Sequence, residues 1–230
     1  MRPRAAMIFA AGLGTRMGAL TAHRPKPLIE VGGRPLIDQA LAHAKGAGAD
    51  PIVVNVHYRA EQLRAHLAPE PVLIADETAR LLETGGGLKA ALPLLGPSPV
   101  WTVNSDAAWA GPNPLAALAR AWRPDMEALL LLVPRTRARG HAGPGDFERD
   151  AAGRLSRGST YVYTGAQVLK TEGLAEIGEE VFSLNRLWDR AAARGALFGL
   201  PYDGEWCDVG RPENLALAES LLRAEAPGAS

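Results

Sequence analysis

Cysteine is nearly absent: Cys207 is the only one in 230 residues. No intrachain disulfide can form, and the expected compartment is the cytoplasm. Net charge is missing as well, with 25 Lys and Arg against 25 Asp and Glu. That balance argues against a nucleic-acid coat or a membrane-surface protein, leaving only local basic patches. Long apolar runs are lacking; Ala128 to Val133 is far too short to span a bilayer. The Met-Arg-Pro-Arg start carries no cleavable signal pattern. No internal repeat and no polar linker divides the chain, so residues 1–225 read as one large α/β domain and 226–230 as a flexible tail. A domain of this size buries a sizeable core without staples.

What the chain has is an apolar run that glycine breaks. Ala5, Ala6, Met7, Ile8 and Phe9 carry no charge, as expected of a strand buried on both faces of a parallel sheet. Gly12-Leu13-Gly14-Thr15 follows; two glycines one residue apart let the backbone turn and aim amides into an anion nest. Arg16 and Lys26 add positive charge, and Pro25 and Pro27 stiffen the backbone around the lysine. The arrangement suits a polyphosphate. It is neither of two better-known phosphate loops. A dinucleotide fingerprint needs glycine where Met17 stands, and no Gly-Lys-Ser/Thr is present for a Walker A loop.

Apolar spacing then predicts a helix from Leu36 to Ala44, a strand over 52–56, a short helix marked by Leu63 and Leu67, and a strand over 72–75. This β-α-β-α-β order implies parallel crossovers and a ligand crevice at the strands' carboxyl ends. Glu83-Thr84-Gly85-Gly86-Gly87 precedes Leu88 to Leu92, so the glycines are expected to leave helix-start amides open to a flat ligand. Asn104-Ser105-Asp106 ends another buried strand, and Asn113 with Pro114 opens a helix. Arg135 to Gly145 holds Arg135, Arg137, Arg139 and His141 with three glycines and reads as a mobile loop, solvated or anion-binding. Phe147 to Ser156 reads as a hairpin, Tyr161 to Leu169 as a long strand that makes the sheet mixed, and Leu197 to Tyr202 as the last strand. Pro212 is expected to open the terminal helix.

Asp106 and Asp208 each follow a strand at one end of the sheet. Two carboxylates beside a phosphate nest suit Mg²⁺ and in-line displacement at phosphorus. No side-chain nucleophile is apparent; Cys207 is expected in the core, and the five histidines lack metal-ligand spacing.

In order and spacing, A-A-G-L-G-T-R-M, R-P-K-P-L, E-T-G-G-G, N-S-D and W-C-D-V-G resemble the sugar-1-phosphate nucleotidyltransferases, or nucleoside-diphosphate-sugar pyrophosphorylases. The short N-acetylmuramate-1-phosphate uridylyltransferases of cell-wall recycling are the nearest group, through E-T-G-G-G and Gly145-Asp146-Phe147. The resemblance implies a Rossmann-like, three-layer, GT-A-like α/β fold around a mixed, mostly parallel sheet. It implies transfer of a nucleoside monophosphate, from UTP, to N-acetylmuramate-1-phosphate with release of pyrophosphate. It implies that Ala11, Gly12, Leu13, Gly14, Thr15 and Arg16 cradle the triphosphate and that Lys26 steadies the attacked phosphate. Glu77, Glu83, Gly85 and Gly86 then line the base pocket, Asp106 and Asp208 hold Mg²⁺, and Asn104, Asp146, Thr164 and Gly165 face the sugar phosphate. Arg16, Lys26, Asp106 and Asp208 form the catalytic set. Two residues depart from the family pattern. Ser105 stands for glycine, which questions close approach there, and Arg211 stands for a helix-capping threonine, where it can bring positive charge toward Asp208. Guanylyl or cytidylyl transfer to another phosphorylated substrate, and a catalytically silent nucleotide-sugar sensor, stay open as alternatives, and the oligomeric state is not readable.

Overall fold

The computed structural model describes residues 1–225; the expected tail at 226–230 lies outside the described residues. In chain order the elements are β1 (Ala6–Phe9), β2 (Glu30–Val31), β3 (Arg34–Pro35), α1 (Leu36–Gly46), β4 (Ile52–Val56), α2 (Ala60–Leu67), β5 (Leu73–Asp76) and α3 (Glu83–Leu95). There follow β6 (Val100–Asn104), β7 (Ala107–Ala110), α4 (Pro114–Ala121), β8 (Ala128–Pro134), β9 (Phe147–Arg149), β10 (Leu155–Arg157) and β11 (Tyr161–Leu169). The chain closes with α5 (Asn185–Ala193), β12 (Leu197–Pro201), β13 (Glu205–Asp208) and α6 (Asn214–Glu225).

Uncharged β-branched and aliphatic runs become the central strands because both of their faces are covered. The main sheet runs β12-β8-β11-β6-β1-β4-β5, with β11 antiparallel to both neighbours and the other six strands codirectional. The β9–β10 hairpin joins it through Tyr161 and Phe147. The sheet is therefore mixed and mostly parallel, as the resemblance implies. Alternation along β1 sends Ala6 and Ile8 to one core, with α1, α2 and α4, and Ala5 and Met7 to the other, with α3 and α5. This is the three-layer arrangement. Between the two cores the buried Gln167 is tied down on both sides: its Nε2 donates to Thr102 Oγ1 at 3.0 Å, and Trp188 Nε1 donates to its Oε1 at 2.9 Å.

Three expectations are corrected. Leu197–Pro201 is not the last strand, because β13 follows and pairs antiparallel with β7 in a separate ribbon. The terminal helix begins at Asn214 rather than Pro212; bonds from Asn214 N to Arg211 O and Leu215 N to Pro212 O make the intervening residues a turn. The triple glycine does not precede α3 but lies inside its first turns, fully buried. A third apolar cluster, including Met17, Leu36, Cys207, Val209 and Leu221, seats α6 on the ribbon.

The α3 glycines are needed for packing. A Cβ on Gly86 would lie 2.1 Å from the Glu180 carbonyl oxygen. Gly86→Ala is expected to cost about 1–3 kcal/mol, read as a lower urea midpoint at constant m-value; an unchanged midpoint would mean that the 180–182 segment yields freely. His43, set edge-on to Trp109 with ring centroids 6.3 Å apart, is pulled by burial from 6.5 to about 4. Its folded pKa lies below its unfolded one, so its contribution is present above pH 6.5 and is lost as pH falls through 4. Unfolding free energy is expected to fall by about 3 kcal/mol over that window on its account. His43→Phe should flatten the profile there, and an unaltered slope would assign the titration to another group.

Candidate active site

The carboxyl ends of β1, β4 and β6 open into a cleft of about 240 Å³ lined by Ala11, Gly12, Lys26, Glu77, Glu83, Asn104 and Asp106 among others. Gly14 takes the left-handed conformation at φ +65, which turns the chain into the 3-10 segment Thr15–Thr21. A Cβ there would meet Thr21 Cγ2 at 2.9 Å and Lys26 Cβ at 3.0 Å. Leu13, Thr15 and Arg16 are exposed beside the cleft. Among the described residues no protein group accepts from the amides of Gly12 and Leu13. Those donors remain for an anion.

Lys26, held between two prolines, is buried to 7% exposure, and its Nζ donates to Asp106 Oδ2 at 2.7 Å. Asp208 arrives through the ribbon: it pairs with Ala107, and Val209 N donates to Asp106 O at 2.9 Å. Burial, and then the Asp106 charge, push the Asp208 carboxyl above its ordinary range, while Lys26, Arg16 and His141 pull it down. Two carboxylates and three cationic or imidazole groups therefore share one electrostatic site. Gly210 makes room for it, since a Cβ there would lie 2.9 and 3.0 Å from the Asp208 oxygens and 3.2 Å from Arg16 Nη2. Cys207 is fully buried, and burial pushes its thiol up to about 11, which leaves it a core residue.

Both residues that depart from the family pattern have partners of their own. Ser105 lines the cleft but is buried, and its Oγ is engaged in donating to Phe9 O at 2.8 Å. Arg211 does not reach Asp208; its nearest ion partner is Glu213 at 3.9 Å.

Of the residues expected at the base, Glu77 lines the cleft but is buried, with both carboxylate oxygens engaged. Asn55 Nδ2 donates to Oε1 at 2.7 Å and Leu82 N to Oε2 at 3.1 Å. Glu77 is thus a frame for the pocket wall. Glu83 is exposed at the rim with φ +60, a left-handed conformation rare outside glycine. Gly85 and Gly86 are corrected: neither lines the cleft, and their amides donate to Phe182 O at 2.8 and 3.1 Å. The chain's own 180–182 segment takes the close approach expected of a ligand.

Of the residues expected at the sugar phosphate, Asn104 lines the cleft and packs against Gly165, whose φ of +91 sits at the irregularity in β11. Asp146 is half-buried, and its Oδ2 accepts from Tyr163 N at 2.8 Å. Thr164 is corrected, because it is 1% exposed and its Oγ1 donates to Leu131 O at 2.8 Å, inside the core. The Arg135–Gly145 segment is docked along β13 rather than free. Asp208 N donates to Arg139 O at 2.9 Å, and Arg137 and Arg139 pair with Glu205 at 2.9 and 3.1 Å.

Two features escape sequence reasoning. Asn55 stands inside the apolar strand Ile52–Val56 and bridges Ala10 N, at 2.7 Å from its Oδ1, to Glu77. An amide amid branched aliphatics is the signal that marks it. Tyr58, Arg59 and Gln62 donate to the carbonyls of Thr21, Ala22 and His23, clamping the end of the segment that Gly14 opens. Arg59 does so from a left-handed φ of +49, which no sequence pattern announces.

Residues 6–206 match the family model for the MobA-like NTP transferase domain. An N-acetylmuramate alpha-1-phosphate uridylyltransferase of Caulobacter vibrioides is 41% identical over 96% of this chain and 97% of its own. An enzyme with the same name from Neisseria meningitidis serogroup B is 31% identical over 95% and 98%. Among solved structures, the inositol-1-phosphate CTP transferase from T. maritima superposes with a TM-score of 0.77 at 18% identity, over 100% of this chain and 99% of that one, and so shares the fold. With a sheet of this topology and a match of that extent, the chain belongs to the MobA-like NTP transferase family.

Proposed function

We propose that residues 1–225 form one catalytic unit that transfers a uridylyl group from UTP to N-acetylmuramate-1-phosphate, releasing pyrophosphate. The observation that carries this reading is the convergence of Lys26, Arg16, Asp106 and Asp208 beside the open amides of Gly12 and Leu13. Near full-length similarity to two uridylyltransferases supports the choice of substrates. No helix among the described residues is long and apolar enough to cross a membrane.

In this reading the loop amides and Arg16 hold the triphosphate, and Lys26 contacts the α-phosphate. An oxygen of the sugar phosphate attacks the α-phosphorus in line as the bond to the β-phosphate oxygen breaks. Lys26 and Arg16 stabilise the charge on the equatorial oxygens of the pentacoordinate phosphorus and on the leaving pyrophosphate. The attacking oxygen is already anionic, so no general base is required.

The donor set fits Mg²⁺. Asp106 and Asp208 supply hard oxygen ligands; burial and then the Asp106 charge raise the Asp208 pKa, and a divalent cation between them would offset that repulsion. No group of three or more potential His, Cys, Asp or Glu ligands occurs among the described residues. Mg²⁺ is suited to such a pair because it retains water and phosphate oxygens in its shell. When bound, it supplies positive charge at the reacting phosphates.

A pyrophosphate-release screen of the four ribonucleoside triphosphates and dTTP against several sugar-1-phosphates, with Mg²⁺, tests the assignment. UTP with N-acetylmuramate-1-phosphate is expected to give the highest kcat/KM, and a clear preference for another pair would refute it. Asp106→Asn is expected to abolish turnover while leaving the fold intact, because an amide is a far weaker Mg²⁺ ligand. Near-normal turnover in that variant would remove Asp106 from the centre. Lys26→Ala is expected to lower kcat/KM about 100-fold, corresponding to about 3 kcal/mol of transition-state stabilisation. A loss below about threefold would reduce Lys26 to a partner of Asp106 alone.

A further inference from the structure

We propose that Asn55 and Glu77 are a positioning pair for the nucleoside triphosphate: one continuous run of hydrogen bonds through them fixes the glycine loop against the Glu83 rim of the cleft. The inference rests on the nucleotidyltransferase reading above and adds to it two residues that act through the backbone they hold.

Both side chains sit where polar atoms are expensive. Asn55 interrupts the apolar strand β4, and it and Glu77 are each 3% exposed. Burying an amide or a carboxylate without partners is strongly unfavourable. Glu77 has no ion-pair partner among the described residues, so hydrogen bonds alone hold its carboxylate. Apolar side chains of similar volume often leave a fold as stable as a buried charged group does, or more so. Stability of the sheet alone gives no reason for a carboxylate here.

The bonds form a single path along the cleft wall. Ala10 N donates to Asn55 Oδ1 at 2.7 Å, Asn55 Nδ2 donates to Glu77 Oε1 at 2.7 Å, and Leu82 N donates to Glu77 Oε2 at 3.1 Å. Ala10 closely precedes the open amide of Gly12, and Leu82 immediately precedes Glu83 with its left-handed φ of +60. Ala10, Gly12, Asn55, Glu77 and Glu83 all line the same cleft. Glu77 is pinned at its own backbone, because its N donates to Val56 O at 2.9 Å and its carbonyl accepts from Arg80 N at 3.0 Å. Room for the pair comes from Gly87, the third glycine of α3. A Cβ there would lie 2.5 Å from Glu77 Oε1 and 3.2 Å from Asn55 Nδ2. Polarity is fixed along the path. Backbone amides at both ends only donate and a carboxylate only accepts, which leaves the asparagine amide one orientation. None of these bonds reaches Asn104 or Asp106, so the path serves the triphosphate and not the acceptor.

The test is a double-variant cycle: Glu77→Gln, Asn55→Asp and the two combined. KM is measured for UTP and for N-acetylmuramate-1-phosphate at mildly alkaline pH, where two facing carboxylates do not readily share a proton. Glu77→Gln sets two N–H donors face to face, because its one oxygen can stand at only one of the positions that the carboxylate oxygens hold. Asn55→Asp sets two carboxylates face to face. The double variant restores every bond with the middle one reversed. The new carboxylate accepts from Ala10 N and from the new amide, whose oxygen accepts from Leu82 N. Each single variant is expected to raise the UTP KM about 10-fold or more, the value of a broken hydrogen bond in a buried site. The acceptor KM should move less than about twofold, and the double variant should bring the UTP KM back to within about threefold of wild type. A merely structural pair would lower the melting temperature and, through the folded fraction, kcat, while leaving the UTP KM in place. If Asn55→Asp melts below the assay temperature, Glu77→Gln and the double variant carry the comparison. Single variants with an unchanged UTP KM, a joint rise of both KM values, or a double variant no better than the worse single one would each overturn the assignment. A wild type that prefers another nucleoside triphosphate overturns the choice of UTP alone, and the cycle is then read with that triphosphate. A wild type that turns over none overturns both readings.

Discussion

Asp208 faces Ala107 across a ribbon of four residue pairs, and the backbone of Asp106 accepts from the amide of Val209. These bonds bring together carboxylates separated by about one hundred residues of sequence. The ribbon lies outside the main sheet and would be marginal alone. It is held by the apolar cluster beneath α6, where Cys207 and Val209 are fully buried. Packing of the C-terminal helix is thus linked directly to the spacing of the two aspartates. The rest of the cleft is arranged around that pair: Lys26 on one oxygen of Asp106, and Arg16 over Gly210.

The electrostatics explain why the cluster is unsuited to a purely structural role. Two adjacent carboxylates, one driven upward in pKa by burial and by its neighbour, are costly to maintain. Lys26, itself nearly buried, compensates one of them. The open amides of the glycine loop add fixed partial positive charge nearby. Such an arrangement is stabilised further by groups that bring phosphate oxygens and a divalent cation together. The Asn55–Glu77 bridge and the clamp from Tyr58, Arg59 and Gln62 hold the surrounding loops without touching the reacting atoms.

Much of this was legible in the sequence because it rests on local rules. Apolar runs without charge marked β1, β4 and β6, while Asn113 with Pro114 marked the start of α4, whose cap accepts from Leu115 and Ala116. Glycine spacing after β1 marked the turn that Gly14 makes at φ +65. Long-range packing decided what was missed. Gly85 and Gly86 carry the same glycine signal as a ligand loop, but the groups pressing on them are Phe182 and Glu180. Thr164 points into the core because the irregularity in β11 sets its facing. Nothing in Arg137 or Arg139 reveals that Glu205, far along the chain, cancels their charge. Arg211 likewise looked like a neighbour of Asp208 in sequence, yet its side chain turns toward Glu213.

The central claim is that Asp106 and Asp208 act as one divalent-cation site. Mn²⁺, used as a paramagnetic substitute for Mg²⁺ and titrated by EPR in the presence of UTP, reports on it without requiring turnover. Asp106→Asn and Asp208→Asn should each weaken Mn²⁺ binding by at least about tenfold, and the double variant should lose little more than either single one. An affinity unchanged by either substitution, or losses that simply add, would contradict the account.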